Sequence, residues 1–365
     1  MQPLQTRLSL LFSASEKDVT TDIMPDLLGF SYTDKETNEA DELTLTLKDE
    51  KGKWAGSWKP EGGEVIRASV YSGNTLYAQR KLNCGRFYVD TISTSGPPRV
   101  VEIRAVSIPL NKPIRKRIKN KAWEKNTLKG IAQAIAKDNS MGFMYDAQEN
   151  PSFDRQDQQN ESDLKFLGRL CDDAGLSIKV TDDKVVIFDQ ASYEKKKPIK
   201  SFTLGVDNIL SWGFEQAQSD TYKSVTVSYR DPKKKKKTSA GGYEFDSEGT
   251  LVRSSKKTTN PAVMTYTYTD PDASEEGQEY KLKKRAKSID EAKRLARAKL
   301  RQLNLKSVTG SLTIIGDTSM VAGVVISVKG FGSFDGNFYV QEASHSVSTS
   351  GYTTELTLRK VNNKY

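Results

Sequence analysis

The stretch Glu161-Ser162-Asp163-Leu164-Lys165-Phe166-Leu167-Gly168-Arg169-Leu170-Cys171-Asp172-Asp173-Ala174-Gly175-Leu176 reads as an amphipathic helix with its stop signal. Leu164, Leu167, Leu170, Cys171 and Ala174 recur at steps of three and four, so they share one face. Gly175 stands where a helix ends on a left-handed residue. Leu176, Ile178 and Val180 then alternate with polar residues, Asp182-Asp183 mark a turn, and Val185–Phe188 brings the chain back. A helix followed at once by a hairpin predicts a compact α/β unit.

Upstream, the basic run Arg115-Lys116-Arg117-Ile118-Lys119-Asn120-Lys121 leads into a second helix. Asn126 is placed to cap it, and Leu128, Ile131, Ala132 and Ile135 follow on one face. Residues 145–160 are polar and acidic and read as a loop. Lys195-Lys196-Lys197-Pro198 closes the unit, which the sequence bounds at 112–200.

Both flanks read as β. Leu43, Leu45 and Leu47 alternate with Thr44, Thr46 and Lys48, the pattern of a half-buried strand. Arg7–Phe12, Glu64–Tyr71, Arg86–Ile92 and Val100–Ile108 are further strands, separated by Gly, Pro and Asn turns. Short strands at this spacing suggest a small barrel or sandwich over 1–111. Trp54 and Trp58 fit loop packing, with an interface anchor as the alternative. Beyond residue 200, Val225, Val227 and Tyr229 alternate. Lys233–Lys237 are five like charges in a row and read as a solvated loop. Met264–Thr269 is one more strand. Ser288-Ile289-Asp290-Glu291 is a capping box opening a third helix. Its apolar stripe is Ile289, Ala292, Ala296, Leu300 and Leu303, with Leu295 beside it. From Ser307 onward four or five strands are punctuated by glycines.

Composition removes most chemistry. The 365 residues hold one histidine and two cysteines. A Ser-His-Asp or Cys-His machine has a single possible base, His345, which sits in a strand pattern and reads as structural. Paired-histidine and cysteine zinc sites are excluded. Neither a phosphate-binding G-x-x-x-x-G-K-[ST] nor a dinucleotide glycine fingerprint occurs. No carboxylate pair stands out among the 47 acids. Cys84 and Cys171 read as small buried residues. No apolar run reaches the roughly 18 residues that span a bilayer, and no signal peptide is evident. No catalytic residue, cofactor or metal is expected.

Charge is the strongest chemical signal. The chain carries 56 basic and 47 acidic residues, a net +9. Over 281–301, ten basic side chains meet two acidic ones. Lys293, Arg294, Arg297, Lys299 and Arg301 form a candidate partner-contact patch on the third helix. Such a surface attracts phosphates, or meets an acidic protein, or is simply solvated.

Two segments together resemble the phage late control gene D family, the baseplate hub proteins of contractile phage tails and related injection machines. The hub part of type VI secretion spike proteins is similar. The first segment is Glu161–Leu176 with the Lys184–Asp189 strand, matching an E-x-D-x-x-F-L-x-R-L-x-x-x-x-G pattern. The second runs from the helix holding Ala292, Ala296 and Ala298 through Gly310-Ser311-Leu312, Ala322–Ile326, Gly336–Val340, His345 and Gly351–Leu356. Phe338-Tyr339 departs from the simpler G-x-Y spacing, and residues 231–287 match nothing in the pattern.

The resemblance implies an α+β, mainly β chain: two similar small antiparallel β-barrel domains, an α/β domain and an inserted segment, forming a hub-like ring protomer. The barrels would be 1–111 and 201–230 with 305–365. The α/β domain would be 112–200, and 231–304 the insertion with its basic helix. It further implies a non-enzymatic homotrimer in the virion tail baseplate, made in the bacterial cytoplasm. Its partners would be the tail tube protein, the central spike protein and other baseplate proteins, with DNA passing through the ring and no membrane insertion. A tail-associated cell-wall hydrolase and a basic nucleic-acid-contacting tail component are the rival expectations.

Overall fold

Period-two alternation of Leu, Val and Ile buries one face of each terminal strand, and the strands assemble on that basis. A computed structural model describes residues 5–12, 17–18, 20–37, 40–73, 79–108, 113–181, 183–217, 221–245, 251–270 and 277–361; side chains are described for all but 17–18, 230–245 and 251–262. The chain divides into one unit of Met1–Asp172, Leu176–Ala217 and Leu305–Asn363, and a second of Asp173–Gly175, Gln218–Asn304 and Lys364–Tyr365.

In the first unit the N-terminal strands are β1 (Gln5–Phe12), β2 (Lys17–Asp18), β3 (Leu27–Lys35), β4 (Glu42–Lys48), β5 (Val65–Gly73), β6 (Arg80–Ser95) and β7 (Val100–Val106), with a single helical turn, α1 (Thr20–Ile23). Leu43, Leu45 and Leu47 are fully buried, with Phe30, Ile66, Val70, Phe87 and Ile103 around them. Strand β3, not expected from the sequence, alternates Phe30, Tyr32 and Asp34 inward, with Phe30 and Tyr32 its only large buried apolar side chains.

The α/β segment follows: α2 (Pro113–Lys116), β8 (Ile118–Thr127), α3 (Leu128–Asp138), β9 (Gly142–Asp146), β10 (Ser152–Ser162), α4 (Asp163–Ala174), β11 (Ser177–Val180), β12 (Lys184–Phe188) and α5 (Gln190–Glu194). The opening helix is α4, and its buried stripe is Phe166, Leu167, Leu170, Cys171 and Ala174. Gly175 has φ +71°, as its terminating role requires. The hairpin β11–β12 is antiparallel, and β9 adds parallel to β12. Of the turn pair, Asp183 is described and Asp182 lies outside the described residues. Two expectations need correction. The cap of α3 is Thr127, whose hydroxyl accepts from the Gly130 N–H, while Asn126 accepts from the Thr127 N–H. The expected loop at 145–160 contains β10, which pairs antiparallel with β8; its polar residues fit because Gln158 is the one fully buried side chain along it.

Strands β13 (Lys200–Thr203) and β14 (Ile209–Gln216) lead out of this segment. In the second unit, β15 (Tyr222–Phe245), β16 (Leu251–Thr269) and β17 (Gln278–Ala286) form a sheet in the order β16-β15-β17, covered by α6 (Ile289–Asn304). Val225, Val227 and Tyr229 pack against Ala292, Leu295, Ala296 and Leu300. Residues 222–230, expected with the second barrel, therefore lie with α6. Lys233–Lys237, expected in a loop, lie within β15, where Lys235, Lys236 and Lys237 pair with Pro261, Asn260 and Thr259 after an irregularity at Asp231–Lys235. Ile289 is exposed, so the stripe of α6 begins at Ala292. The Glu291 N–H donates to Ser288 Oγ (3.2 Å), and the Glu291 carboxylate accepts from the Lys287 N–H (2.7 Å), one residue earlier than a capping box requires.

The chain returns to the first unit with β18 (Val308–Ile315), β19 (Val325–Lys329), β20 (Gly336–Ser348) and β21 (Gly351–Lys360). A second core forms here from Leu312, Ile314, Ile326, Val328, Phe338, Val340, Leu356 and Leu358. Closed barrels were expected; the pairing instead gives one open 13-stranded sheet in the order β14-β18-β21-β20-β3-β4-β7-β6-β5-β1-β2, with β13 pairing β19 and β19 pairing β20. The reason lies in β20. Its first half pairs with β19, and its second half pairs antiparallel with β3, from Glu342↔Lys35 to Ser348↔Gly29. One long strand thereby joins the two β modules instead of closing one of them.

Candidate functional site

The Glu161–Gly175 stretch builds a buried polar cluster at the start of α4. Asp163 is fully buried and accepts from Lys119 Nζ (2.6 Å), Asn139 Nδ2 (3.1 Å) and Gln158 Nε2 (3.0 Å). Glu161 pairs with Arg169 at 2.7 Å, and the Phe166 ring stacks on Trp123. Elements β8, β10, α3 and α4 are thus tied at one carboxylate. Both carboxylate oxygens accept hydrogen bonds, which is what permits the group to be buried there.

Three further clusters lock the seam between β3 and β20 and fasten the hairpin β11–β12 and α5 to it. Phe30, Tyr32, Asp34 and Glu36 occupy successive inward positions along and just beyond β3. Lys179 Nζ donates to Asp34 Oδ1 (2.7 Å) and the Lys35 carbonyl (2.7 Å), and lies 3.2 Å from Asp41 Oδ1. Asp34 Oδ2 accepts from the Ala322 N–H. Burial pushes the Asp41 carboxyl up, and the neighbouring Asp34 adds to the rise; burial pulls Lys179 down, but the two aspartates outweigh it and its ammonium is held charged.

The second cluster centres on Glu36, which accepts twice from Gln190 Nε2 (2.7 and 2.8 Å) and once from the Tyr339 hydroxyl. Arg359 is fully buried, pairs with Glu194 and lies over the Tyr339 ring. Burial raises the Glu36 carboxyl above its ordinary range.

The third is His345, fully buried and stacked on Tyr32. Its Nε2 lies 2.8 Å from the Met320 carbonyl, which can only accept, so Nε2 carries the proton. Nδ1 then accepts, from the Tyr352 hydroxyl at 2.8 Å, with Thr354 Oγ1 at 3.3 Å. Burial pulls its pKa down to about 4, so the ring is neutral at pH 7. Gly316 lies under Tyr352, where a Cβ would come 2.0 Å from the ring. This is the structural histidine the sequence suggested.

Among the described residues, no group of three His, Cys, Asp or Glu could hold a metal ion. Both cysteines are buried and unbridged, and burial pushes the Cys84 thiol up to about 12, so it is no nucleophile. A cleft of about 450 Å³ is lined by Arg80, Lys200, Asp317 and Ser72 among others. Burial works against the Asp317 carboxylate, but Lys200 and Ser319 outweigh it and hold its pKa low, so it is a poor general base.

Two surfaces remain. On α6, Lys293 and Arg297 are exposed, Arg294 and Lys299 half-buried, and Arg301 buried at 8% exposure. The sequence pattern placed Arg301 on the outer face; its position next to Leu300 instead turns its stem into the unit. On the first unit, edge strand β14 and the turn before it expose Leu204, Val206, Leu210 and Trp212, with Val206 at 78% and Leu210 at 55%. Trp212 caps the aromatic group of Phe214, Phe331, Phe334 and Phe338. Trp54 is buried and bonds Asp26 through Nε1 (2.9 Å), the loop-packing role; Trp58 stands edge-on to it.

The sequence reading missed the seam residues Asp34, Glu36, Lys179, Glu194 and Arg359. Their only signal was an acid at inward positions beyond Phe30 and Tyr32, with partners more than 140 residues away.

Known proteins share this construction. The chain is 25% identical over 370 residues to the probable baseplate hub protein of Escherichia phage 186, covering 96% of this chain and 92% of that one. A 43 kDa tail protein of prophage MuSo2 from Shewanella oneidensis has the same fold, with a TM-score of 0.70 at 13% identity over 98% of this chain and 99% of that one. The Escherichia coli c3393 protein, a component of the type VI secretion system, shares it too (TM-score 0.55, 12% identity, 100% and 78% covered). The model of the phage tail baseplate hub (GPD) family matches residues 101–351. With more than half its length matched, and its α4 motif and strand β20 inside the matched span, the chain belongs to the phage tail baseplate hub family.

Proposed function

We propose that this chain is a homotrimeric adaptor in a contractile tail, seated in the baseplate between the hexameric tail tube and the trimeric central spike. The observation that carries this reading is the sheet: two β modules in one chain, joined through β3 and β20. Three chains would present six such modules in a closed heterologous ring. One face of that ring could then repeat six times and the other three. The buried clusters at the seam suit such a part. Buried ion pairs add little net stability, but they fix one geometry. The work of the protein is assembly and not catalysis. It is made in the bacterial cytoplasm, and DNA crosses the ring during ejection.

The basic residues Lys293, Arg294, Arg297 and Lys299 serve in this reading as a contact to another baseplate component. Native mass measurement of the purified protein with its candidate spike tests the proposal. A complex built on three 40.7 kDa chains is expected. A monomer that persists with the spike present would overturn it.

A further inference from the structure

The second unit holds almost all of the net charge. Residues 218–304 carry 20 basic and 12 acidic residues, a net +8, against 36 and 35 in the remainder. Its sheet has an unusual outline. Strand β17 pairs with β15 only along Tyr222–Tyr229 and stops at Ala286. Strand β15 continues to Phe245, paired with β16 alone. From Lys235↔Pro261 to Phe245↔Leu251 the two strands run on for 11 paired positions, about 35 Å at the usual rise per residue.

Along 231–245, therefore, the edge of β15 on the β17 side has no strand beside it among the described residues. A two-stranded ribbon is marginal in water, and an open edge is a template for another strand. The sequence on both sides of the position left vacant beyond Ala286 is rich in basic residues. Lys233–Lys237 lie on the open stretch of β15, and Lys283, Lys284, Arg285 and Lys287, all exposed, stand where β17 ends.

We propose that this vacant edge receives an acidic strand from a partner protein, which pairs by main chain with β15 at 231–245. Only a polypeptide can satisfy an open strand edge with its own N–H and C=O groups. The charge selects which polypeptide: one rich in Asp and Glu. Nucleic acid fits less well. Tyr222, Tyr266, Tyr268 and Tyr280 pack toward α6, so these rings are not offered to bases. The proposal does not depend on the trimeric reading, since the edge exists within one chain.

The competing account is that the lysines only guard the edge against aggregation. Full-length protein titrated with a fluorescein-labelled (Glu-Thr)6 peptide separates the cases. Binding is expected in the micromolar range in 50 mM salt, with hydrogen exchange slowed at 231–245. A peptide N-methylated at alternate residues, with its charge intact, should bind at least tenfold more weakly. So should the Lys235→Glu/Lys237→Glu and Lys283→Glu/Arg285→Glu variants, each checked for native circular dichroism. Equal binding of the N-methylated peptide would overturn strand addition. Absence of peptide binding would leave the lysines as edge guards, and a 20-base-pair duplex binding in its place would assign the surface to nucleic acid; either overturns the proposal.

Discussion

Replacing Lys179 by Met removes the ammonium that faces Asp34 and Asp41 while keeping the stem. Its side chain is 22% exposed and those of the two aspartates 11%, so water cannot take over. Asp34 keeps the Ala322 N–H and Asp41 the Lys35 N–H. Leaving two carboxylates unbalanced costs about 3–5 kcal/mol at neutral pH. The penalty has a sign in pH. In the variant the Asp41 carboxyl, already raised by burial, loses the ammonium that draws it down and rises further above its unfolded value. The loss is therefore absent at pH below the unfolded value near 4 and grows as pH rises above it, by about 1.4 kcal/mol per unit for each proton retained. All four tryptophans (Trp54, Trp58, Trp123 and Trp212) lie in the first unit, so their fluorescence follows the unfolding of that unit alone. Urea titrations at pH 5 and pH 8 should show the variant much closer to the native protein at pH 5. Asp34→Asn with Asp41→Asn in the same variant should recover most of the loss at pH 8. A loss under about 1 kcal/mol, equal at both pH values, would refute the assignment of this cluster as a buried charge lock.

Other outcomes follow from the same geometry. Because the His345 pKa is lowered to about 4 from 6.5, its contribution is complete above pH 6.5 and is lost as pH falls toward 4, about 3 kcal/mol in all; His345→Gln should flatten that part of the stability–pH curve measured by urea unfolding. Gly316→Ala places a methyl 2.0 Å from the Tyr352 ring and should cost about 1–3 kcal/mol, with Tm falling and the native fold retained. Val206→Asp with Leu210→Lys should leave unfolding within about 0.5 kcal/mol, since both side chains are exposed, yet reduce the trimer fraction in native mass spectra if edge β14 lies in the ring contact.

Local patterns were legible in proportion to how local their causes are. The stripe of α4 and its Gly175 stop, the alternation of β4 and the capping Ser288 all follow from neighbours within four residues. Strand β10 was hidden because it buries only Gln158 and so lacks the apolar alternation a half-buried strand shows. The lysine run misled for a related reason: like charges repel, yet Lys235–Lys237 pair by main chain with Thr259–Pro261. The seam was illegible because its chemistry is long-range. Asp34 meets Lys179, and Arg359 meets Glu194, only after the fold has formed. Two closed barrels were expected because the family resemblance implies them; the short strands over 1–111 fit a barrel or a sandwich alike. What prevented closure is the length of β20, which spans both modules.

Electron cryo-microscopy of the protein bound to its spike tests the central claim most directly. The account predicts a threefold ring of three chains in which six β modules repeat around the axis, two from each chain and joined through β3 and β20. A ring of six chains, or three chains whose N-terminal and C-terminal modules stand at unrelated radii, would contradict it.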